Sequence, residues 1–246
     1  MKIVATIEAR MTSSRLPGKV LLPALGRSML AHLTQRLKAV PSIDEIVLAT
    51  TINAADDVLE DFANKDGISI FRGSEADVMG RVIGAAESAQ ADVVVEITGD
   101  CPIIDPDLVE QTIRVFARNT AVYCANSFIS SYPDGMDVQV FTLDALKRSA
   151  AMTDDPLDRE HVSRHIVQHP ELFPHVYLIA PPSLHWPGLG LTLDEPADYD
   201  LIRKLIEHFG ESNPLFGCGE VMTVLRDNPD WFVINNMVQR KDARPT

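Results

Sequence analysis

Ile3-Val4-Ala5-Thr6-Ile7-Glu8-Ala9-Arg10-Met11-Thr12-Ser13-Ser14-Arg15-Leu16-Pro17-Gly18-Lys19 is the stretch that decides the fold of this chain. Its first five residues form a nearly continuous apolar run, the pattern of a strand covered on both faces. The run from Arg10 to Lys19 then carries three cations and no acid, within a chain of formal net charge −13. In α/β folds ligands bind beyond the carboxyl ends of the strands, which is where this loop lies. Its Gly and Ser residues can offer backbone N–H groups and hydroxyls to phosphate oxygens. Arg10 and Arg15 supply forked donors and Lys19 a compact charge, together enough to offset most of the charge of a triphosphate. The loop is neither a GxxxxGK[ST] phosphate loop nor a GxGxxG dinucleotide turn. The competing reading is a solvated surface loop with incidental basic residues.

Working outward, apolar runs alternate with helical patterns. Leu30, Leu33 and Leu37 mark one helix face, Ile46–Thr50 a second strand, and Asp56–Lys65 an acidic helix. Ile68–Phe71 and Val93–Ile97 repeat the strand signal, while Val78–Ala89 and Pro106–Ala117 repeat the helical one. Such alternation predicts a mostly parallel sheet with helices on both faces. After about Ala121 the rhythm changes. Met136–Phe141, Val176–Ala180 and Leu189–Leu193 are strand-like, and a His-rich helix lies between them. A helix begins near Pro196 with Leu201, Ile202, Leu205, Ile206 and Phe209 on one face, and Pro196 suits its first turn. Beyond Glu211 a short helix near Glu220–Leu225 and a turn at Asn228-Pro229 precede a polar end, 239–246, expected to fray.

The 246 residues, 46% of them apolar, suit one α/β domain. The acidic balance argues against DNA, RNA or an anionic membrane as the main partner. Cys101, Cys124 and Cys218 form no CxxC pair or disulfide framework, which fits a reducing compartment. There is no signal-peptide pattern, and no apolar run reaches the roughly 18 residues of a membrane helix. The expectation is a cytoplasmic protein.

The run Glu8–Lys19 closely resembles the nucleotide-binding loop of the cytidylyltransferase superfamily, nearest to its spore-coat-polysaccharide branch and more distantly to CMP-Kdo and CMP-sialic acid synthetases. The resemblance covers about residues 2–210. It implies a three-layer, Rossmann-like nucleotidyltransferase fold with a small β-rich insertion. It divides the chain into a nucleotidyltransferase domain, 1–210, with an acceptor and dimerisation subregion at about 130–180, and a C-terminal extension, 211–246. It also implies that Arg10, Ser13, Ser14, Arg15 and Lys19 hold the phosphates of CTP and that backbone near Ala9 meets the base.

Two carboxylates complete this reading. Thr98-Gly99-Asp100-Cys101-Pro102 ends the Val93–Ile97 strand, where Gly99 permits a sharp turn and Pro102 stops strand pairing. Asp100 there can hold Mg²⁺, which takes one or two carboxylates with phosphate oxygens and water. A turn or capping role is the alternative. Asp194, in Asp194-Glu195-Pro196-Ala197-Asp198, also lies between a strand and a helix, where an N-cap or first-turn acid is the alternative. That alternative suits Asp198 better. Both runs resemble family motifs, Gly-Asp-x-Pro and Asp-x-Pro-x-Asp, which implies that Asp100 and Asp194 are the metal ligands.

Phe71-Arg72-Gly73-Ser74 resembles the family's Arg-Gly-Ser element, implying that Arg72 reads the base or ribose; otherwise it is a polar turn with Arg81 exposed beyond it. Asp137 either touches the acceptor or is a turn acid. Arg159-Glu160-His161-Val162 resembles a spore-coat-branch element, implying that Glu160 and His161 face the acceptor. His161, His165 and His169 fall at i, i+4 and i+8, but no Cys lies near to complete a structural zinc set. The implied reaction is magnesium-dependent transfer of CMP from CTP to a sugar acid, sugar phosphate or related small acidic acceptor, in a homodimer, with Arg15, Lys19, Asp100 and Asp194 as catalytic residues. Two rival readings are a nucleotide-sugar glycosyltransferase, whose Asp-x-Asp motif is matched only by Asp105-Pro106-Asp107 at a helix start, and a non-catalytic nucleotide-binding protein.

Overall fold

The computed structural model describes residues 1–240; the end of the tail expected to fray, 241–246, lies outside them. The strands are β1 (Ile3–Glu8), β2 (Pro23–Ala24), β3 (Arg27–Ser28), β4 (Glu45–Thr51), β5 (Ser69–Gly73), β6 (Val93–Thr98), β7 (Tyr123–Ala125), β8 (Gln139–Thr142) and β9 (His175–Tyr177). The helices are α1 (Met29–Lys38), α2 (Asp57–Asp66), α3 (Val78–Ser88), α4 (Pro106–Ala117), α5 (Leu143–Ala150), α6 (Pro156–Glu160), α7 (Arg164–Gln168), α8 (Pro196–Phe209), α9 (Cys218–Asp227) and α10 (Pro229–Phe232).

A seven-stranded sheet runs β5-β4-β1-β6-β8-β7-β9. β5, β4, β1 and β6 are mutually parallel, as the alternating strand and helix signals predict. β8 is antiparallel to β6 and to β7, and β9 returns parallel to β7. The late strands thus extend the main sheet instead of forming a separate one. β2 and β3 form a small hairpin ahead of α1.

Strand alternation sorts the core into two layers. Ile3, Ala5, Ile7, Val93, Val95 and Ile97 pack with Leu30, Leu33 and Leu37 of α1 and with α4, α8 and α9 on one face. Val4, Val94 and Phe141 pack with Met79 and Val82 of α3 and Leu146 of α5 on the other. Phe216, Cys218, Val221 and Met222, beyond the boundary expected near 210, belong to the first layer.

Three local expectations change. The strand signal at Leu189–Leu193 makes only one isolated bridge, Asp134 to Gly190, although Leu189, Leu191 and Leu193 are fully buried. Their alternation is an inward-facing loop packed on the core, with Gly188 and Gly190 interrupting any ladder. The histidines do not share one helix: His161 caps the end of α6 and His169 the end of α7. Pro229, expected in a turn, starts the one-turn helix α10.

Candidate active site

The basic loop leaves β1 and closes on itself. Gly18, at φ +69°, donates its N–H to the Met11 carbonyl at 2.9 Å and begins a short 3₁₀ turn, Lys19–Leu21. A left-handed backbone there favours glycine, which has no Cβ to crowd the following carbonyl. Buried Asp56 accepts the Met11 N–H at 2.7 Å and the Thr51 hydroxyl, pinning the loop to β4. Ser13 accepts the Leu16 N–H at 3.5 Å inside the turn, and Ser14 is exposed.

The loop delivers Lys19 to two carboxylates distant in sequence. Its Nζ lies 2.9 Å from Asp100 Oδ2 and 3.0 Å from Asp194 Oδ1. Arg15 Nη2 also reaches Asp194 Oδ1, at 3.0 Å. Asp100 follows β6, Asp194 precedes α8, and the Leu193 N–H donates to the Asp100 carbonyl at 2.8 Å, tying the two segments together. Burial alone pulls the Lys19 ammonium toward neutrality, but Asp100 and Asp194 outweigh it and hold its pKa above the ordinary value. Burial likewise opposes ionisation of Asp100, and Lys19 with Thr98 reverses that, keeping Asp100 below the ordinary carboxylate range.

Gly99 matters by close approach and has no left-handed φ. A Cβ there would stand 2.7 Å from the Glu8 carbonyl oxygen, to which the Gly99 N–H donates at 2.9 Å. Asp198 plays the capping role expected of it. It is fully buried, accepts the N–H groups of Asp194 and Glu195, and binds Asn235 and Arg240 at 2.8 Å each. The segment after 210 therefore reaches back to steady the Asp194 turn.

The remaining expected residues divide between two flanks. Ala9 is buried at the loop start, donating to the Ala49 carbonyl at 3.4 Å. Arg10 pairs with Glu75 at 2.6 Å, and Thr12 and Asn53 donate to the same carboxylate. Arg72 donates to the carbonyls of Thr51 and Asn53 and pairs with Asp57 and Glu60. Arg81 is buried, not exposed, because its guanidinium satisfies the carbonyls of Ala49 and Ser74.

Asp137, Glu160 and His161 line a cavity of about 510 Å³ on the opposite flank, whose lining also includes Thr98, two residues before Asp100, and Asp134. Sequence reasoning missed much of its other polar lining, including Glu8, Glu96, Tyr123, Gln139 and Ser163. The available signal was a carboxylate inside Val93-Val94-Val95-Glu96-Ile97, since a strand covered on both faces has no ordinary place for one. Burial pushes Glu96 up from 4.5 to about 7, opposed by a hydrogen bond with Glu8. Burial first, then the Glu96 charge, raises Glu8 well above the usual range.

These shifts predict how stability varies with pH. Between about pH 4.5 and 7 folded Glu96 keeps a proton that the unfolded chain has released, so stability declines as pH rises through that window. The slope is at most about 1.4 kcal/mol per pH unit for one proton. Asp100 adds no slope there, because its depressed pKa confines its stability loss to more acid pH. Glu96→Gln is expected to flatten the decline, read as melting temperature against pH for both proteins.

Two hard carboxylate oxygens already converge on one cation, the Lys19 ammonium, which suits Mg²⁺ in kind and number. Among the described residues no three His, Cys, Asp or Glu side chains gather closely enough to hold a metal ion by themselves.

A family model described as cytidylyltransferase matches residues 4–216. The chain is 34% identical over 235 residues to the spore coat polysaccharide biosynthesis protein SpsF of Bacillus subtilis, covering 93% of this chain and 95% of that one. It is 35% identical over 120 residues to an 8-amino-3,8-dideoxy-manno-octulosonate cytidylyltransferase of Shewanella frigidimarina, about half of each chain. It also superposes on a cytidylyltransferase from Leptospira borgpetersenii with a TM-score of 0.90 and 31% identity, over 98% of this chain and all of that one.

Proposed function

We infer the reaction from this premise: the chain belongs to the cytidylyltransferase family. We propose that it transfers CMP from CTP to a small sugar-acid-like acceptor and releases pyrophosphate. The observation that carries this reading is the meeting of Lys19 and Arg15 with Asp100 and Asp194 at the carboxyl edge of β1 and β6.

In the proposed reaction an acceptor oxygen attacks the α-phosphorus of CTP. The new oxygen–phosphorus bond forms as the bond to the β-phosphate bridging oxygen breaks, and pyrophosphate departs. Lys19 and Arg15 exchange their carboxylate partners for phosphate oxygens and stabilise charge on the leaving group. Asp100 and Asp194 would hold Mg²⁺, which when bound neutralises phosphate charge as a Lewis acid. The Met11–Gly18 closure fixes the backbone that carries Lys19 before substrate arrives, so the side chain alone changes partners. A carboxylate acceptor is already ionised and needs no base, whereas a hydroxyl acceptor would lose its proton to a neighbouring group such as His161.

Free, buried Cys101, Cys124 and Cys218 support a cytoplasmic site of action. Among the described residues no helix is long and apolar enough to cross a membrane. Exposed Met152, Leu157 and Leu172, within the expected dimerisation subregion, support a homodimer.

A thermal-shift series with each nucleoside triphosphate, with and without Mg²⁺, tests the reading. CTP with Mg²⁺ at about 100 times its Kd is expected to add about 2.7 kcal/mol, or about 5–10 °C. An equal response to all four triphosphates would remove the cytidine assignment. A response only to nucleotide sugars would replace it with glycosyl transfer.

A further inference from the structure

We infer that the acceptor presents a protonated amine to Glu8 and Glu96 at the floor of the 510 Å³ cavity. This inference rests on the CMP-transfer reading and names the class of acceptor that reading leaves open.

Parallel pairing sets Thr6 beside Glu96 and Glu8 beside Thr98. Glu8 and Glu96 therefore stand diagonally on one face of adjacent strands, within hydrogen-bonding reach of each other. Both line the cavity, and Glu96 is only 5% exposed. Glu8 Oε1 and Glu96 Oε2 are buried with no hydrogen-bond donor among the described residues. A buried carboxylate oxygen without a donor is costly, so such a pair in a cavity wall points to a donor that arrives with a ligand.

Several of the surrounding donors are committed elsewhere. Tyr123 and Ser163 both donate to Gln139 Oε1, although Gln139 lies directly across from Glu96. Arg164 is held by Asp158 and Asp155, and Arg240 by Asp198 and Thr192. Arg81 serves the carbonyls of Ala49 and Ser74. Asp134, which Arg240 Nε faces at 3.6 Å, and Glu160 add further carboxyl groups to the lining. The cavity thus has a surplus of acceptor oxygens, with five carboxyl groups in its lining against Arg164 and Arg240.

An ammonium answers that surplus with three donors and a positive charge that would favour the ionised form of Glu8 and Glu96, where a hydroxyl brings one donor and no charge. The acceptor inferred is a zwitterion. Its amine lies against Glu8 and Glu96, and its attacking oxygen faces Thr98 and Asp134.

The test uses sugar acids matched except for amine against hydroxyl: 8-amino-3,8-dideoxy-manno-octulosonate with 3-deoxy-manno-octulosonate, and 2-amino-2-deoxyglucuronate with glucuronate. Pyrophosphate release is measured with CTP and Mg²⁺, and acceptor binding by calorimetry in the presence of a non-hydrolysable CTP analogue. At least one amine member is expected to exceed its partner by about 10-fold or more, as sites built around a polar group discriminate. Glu96→Gln is expected to reduce that ratio below about threefold, and Glu8→Gln to act in the same direction. A retained CTP thermal shift shows that each variant is folded. Equal or reversed preference, a ratio unmoved by both substitutions, or no binding of any amine member while CTP still binds would each overturn the inference and leave the CTP reading standing. Failure of the wild-type protein to bind CTP would instead remove that reading.

Discussion

Asp100→Asn is expected to lower pyrophosphate release by about 10³-fold while leaving the fold intact. The substitution keeps the shape of the side chain and removes its charge. Metal and electrostatic stabilisation of a transferring phosphoryl group is worth several kcal/mol, and about 4 kcal/mol corresponds to 10³ in rate. In the free protein the loss is cushioned, because Lys19 keeps Asp194 as its partner at 3.0 Å. The melting temperature without ligand should therefore move little, whereas the gain from CTP with Mg²⁺ should vanish. Lys19→Met separates the two roles of that site. It removes the cation that sits between Asp100 and Asp194, so Mg²⁺ alone should stabilise the variant more than the wild type, even as turnover falls by about 10²-fold. Pyrophosphate release and Mg²⁺ thermal shifts, measured on both variants, check these outcomes. An Asp100→Asn protein with wild-type turnover would place the reacting phosphate elsewhere.

Arg36→Ala is expected to cost about 3–5 kcal/mol of stability, equivalent to about 6–20 °C in melting temperature. Arg36 belongs to α1 yet is only 1% exposed. Its guanidinium lies 4.1 Å from the centroid of the Phe216 ring and donates to the carbonyls of Phe216, at 2.8 Å, and Ile104, at 3.3 Å. Burial pulls its pKa down to about 10, with Asp105 and Glu220 opposing that shift, so it stays charged near neutral pH. Alanine leaves two carbonyls without a donor and a cavity under Phe216, two of the mechanisms behind large mutational effects. Arg36→Met should recover part of the packing but neither hydrogen bond, and so fall between the two. Urea denaturation measures the loss. Hydrogen exchange should show α9 loosening first, since Arg36 ties α1 to the segment that leads into it.

The parallel half of the sheet was legible because its signals are local. Ile3–Ile7, Ile46–Thr50 and Val93–Ile97 are apolar runs bounded by amphipathic helices, and β1, β4 and β6 extend them by at most a residue at either end. The later strands were harder to read. β7 is three residues long, and β8 starts at Gln139, not at Met136, because Met136 and Val138 pack in the core as loop residues. Leu189, Leu191 and Leu193 alternate as a strand does and are fully buried, but they find no ladder. Alternation reports which side chains face inward and not whether a neighbouring strand exists to pair with.

The candidate site divides along the same line. By itself the sequence determined the α/β class, the basic loop from Arg10 to Lys19, and the placing of Asp100 and Asp194 at strand or helix ends, since each rests on a contiguous run of residues. Only the tertiary structure decided that Lys19 meets Asp100 and Asp194, 81 and 175 positions away, that Arg36 anchors the segment after 210, and that Glu8 and Glu96 share a cavity wall. Strand order and packing set those meetings. They arise from which apolar faces bury against one another across the whole chain, and the local periodicity of a single sequence does not encode that choice.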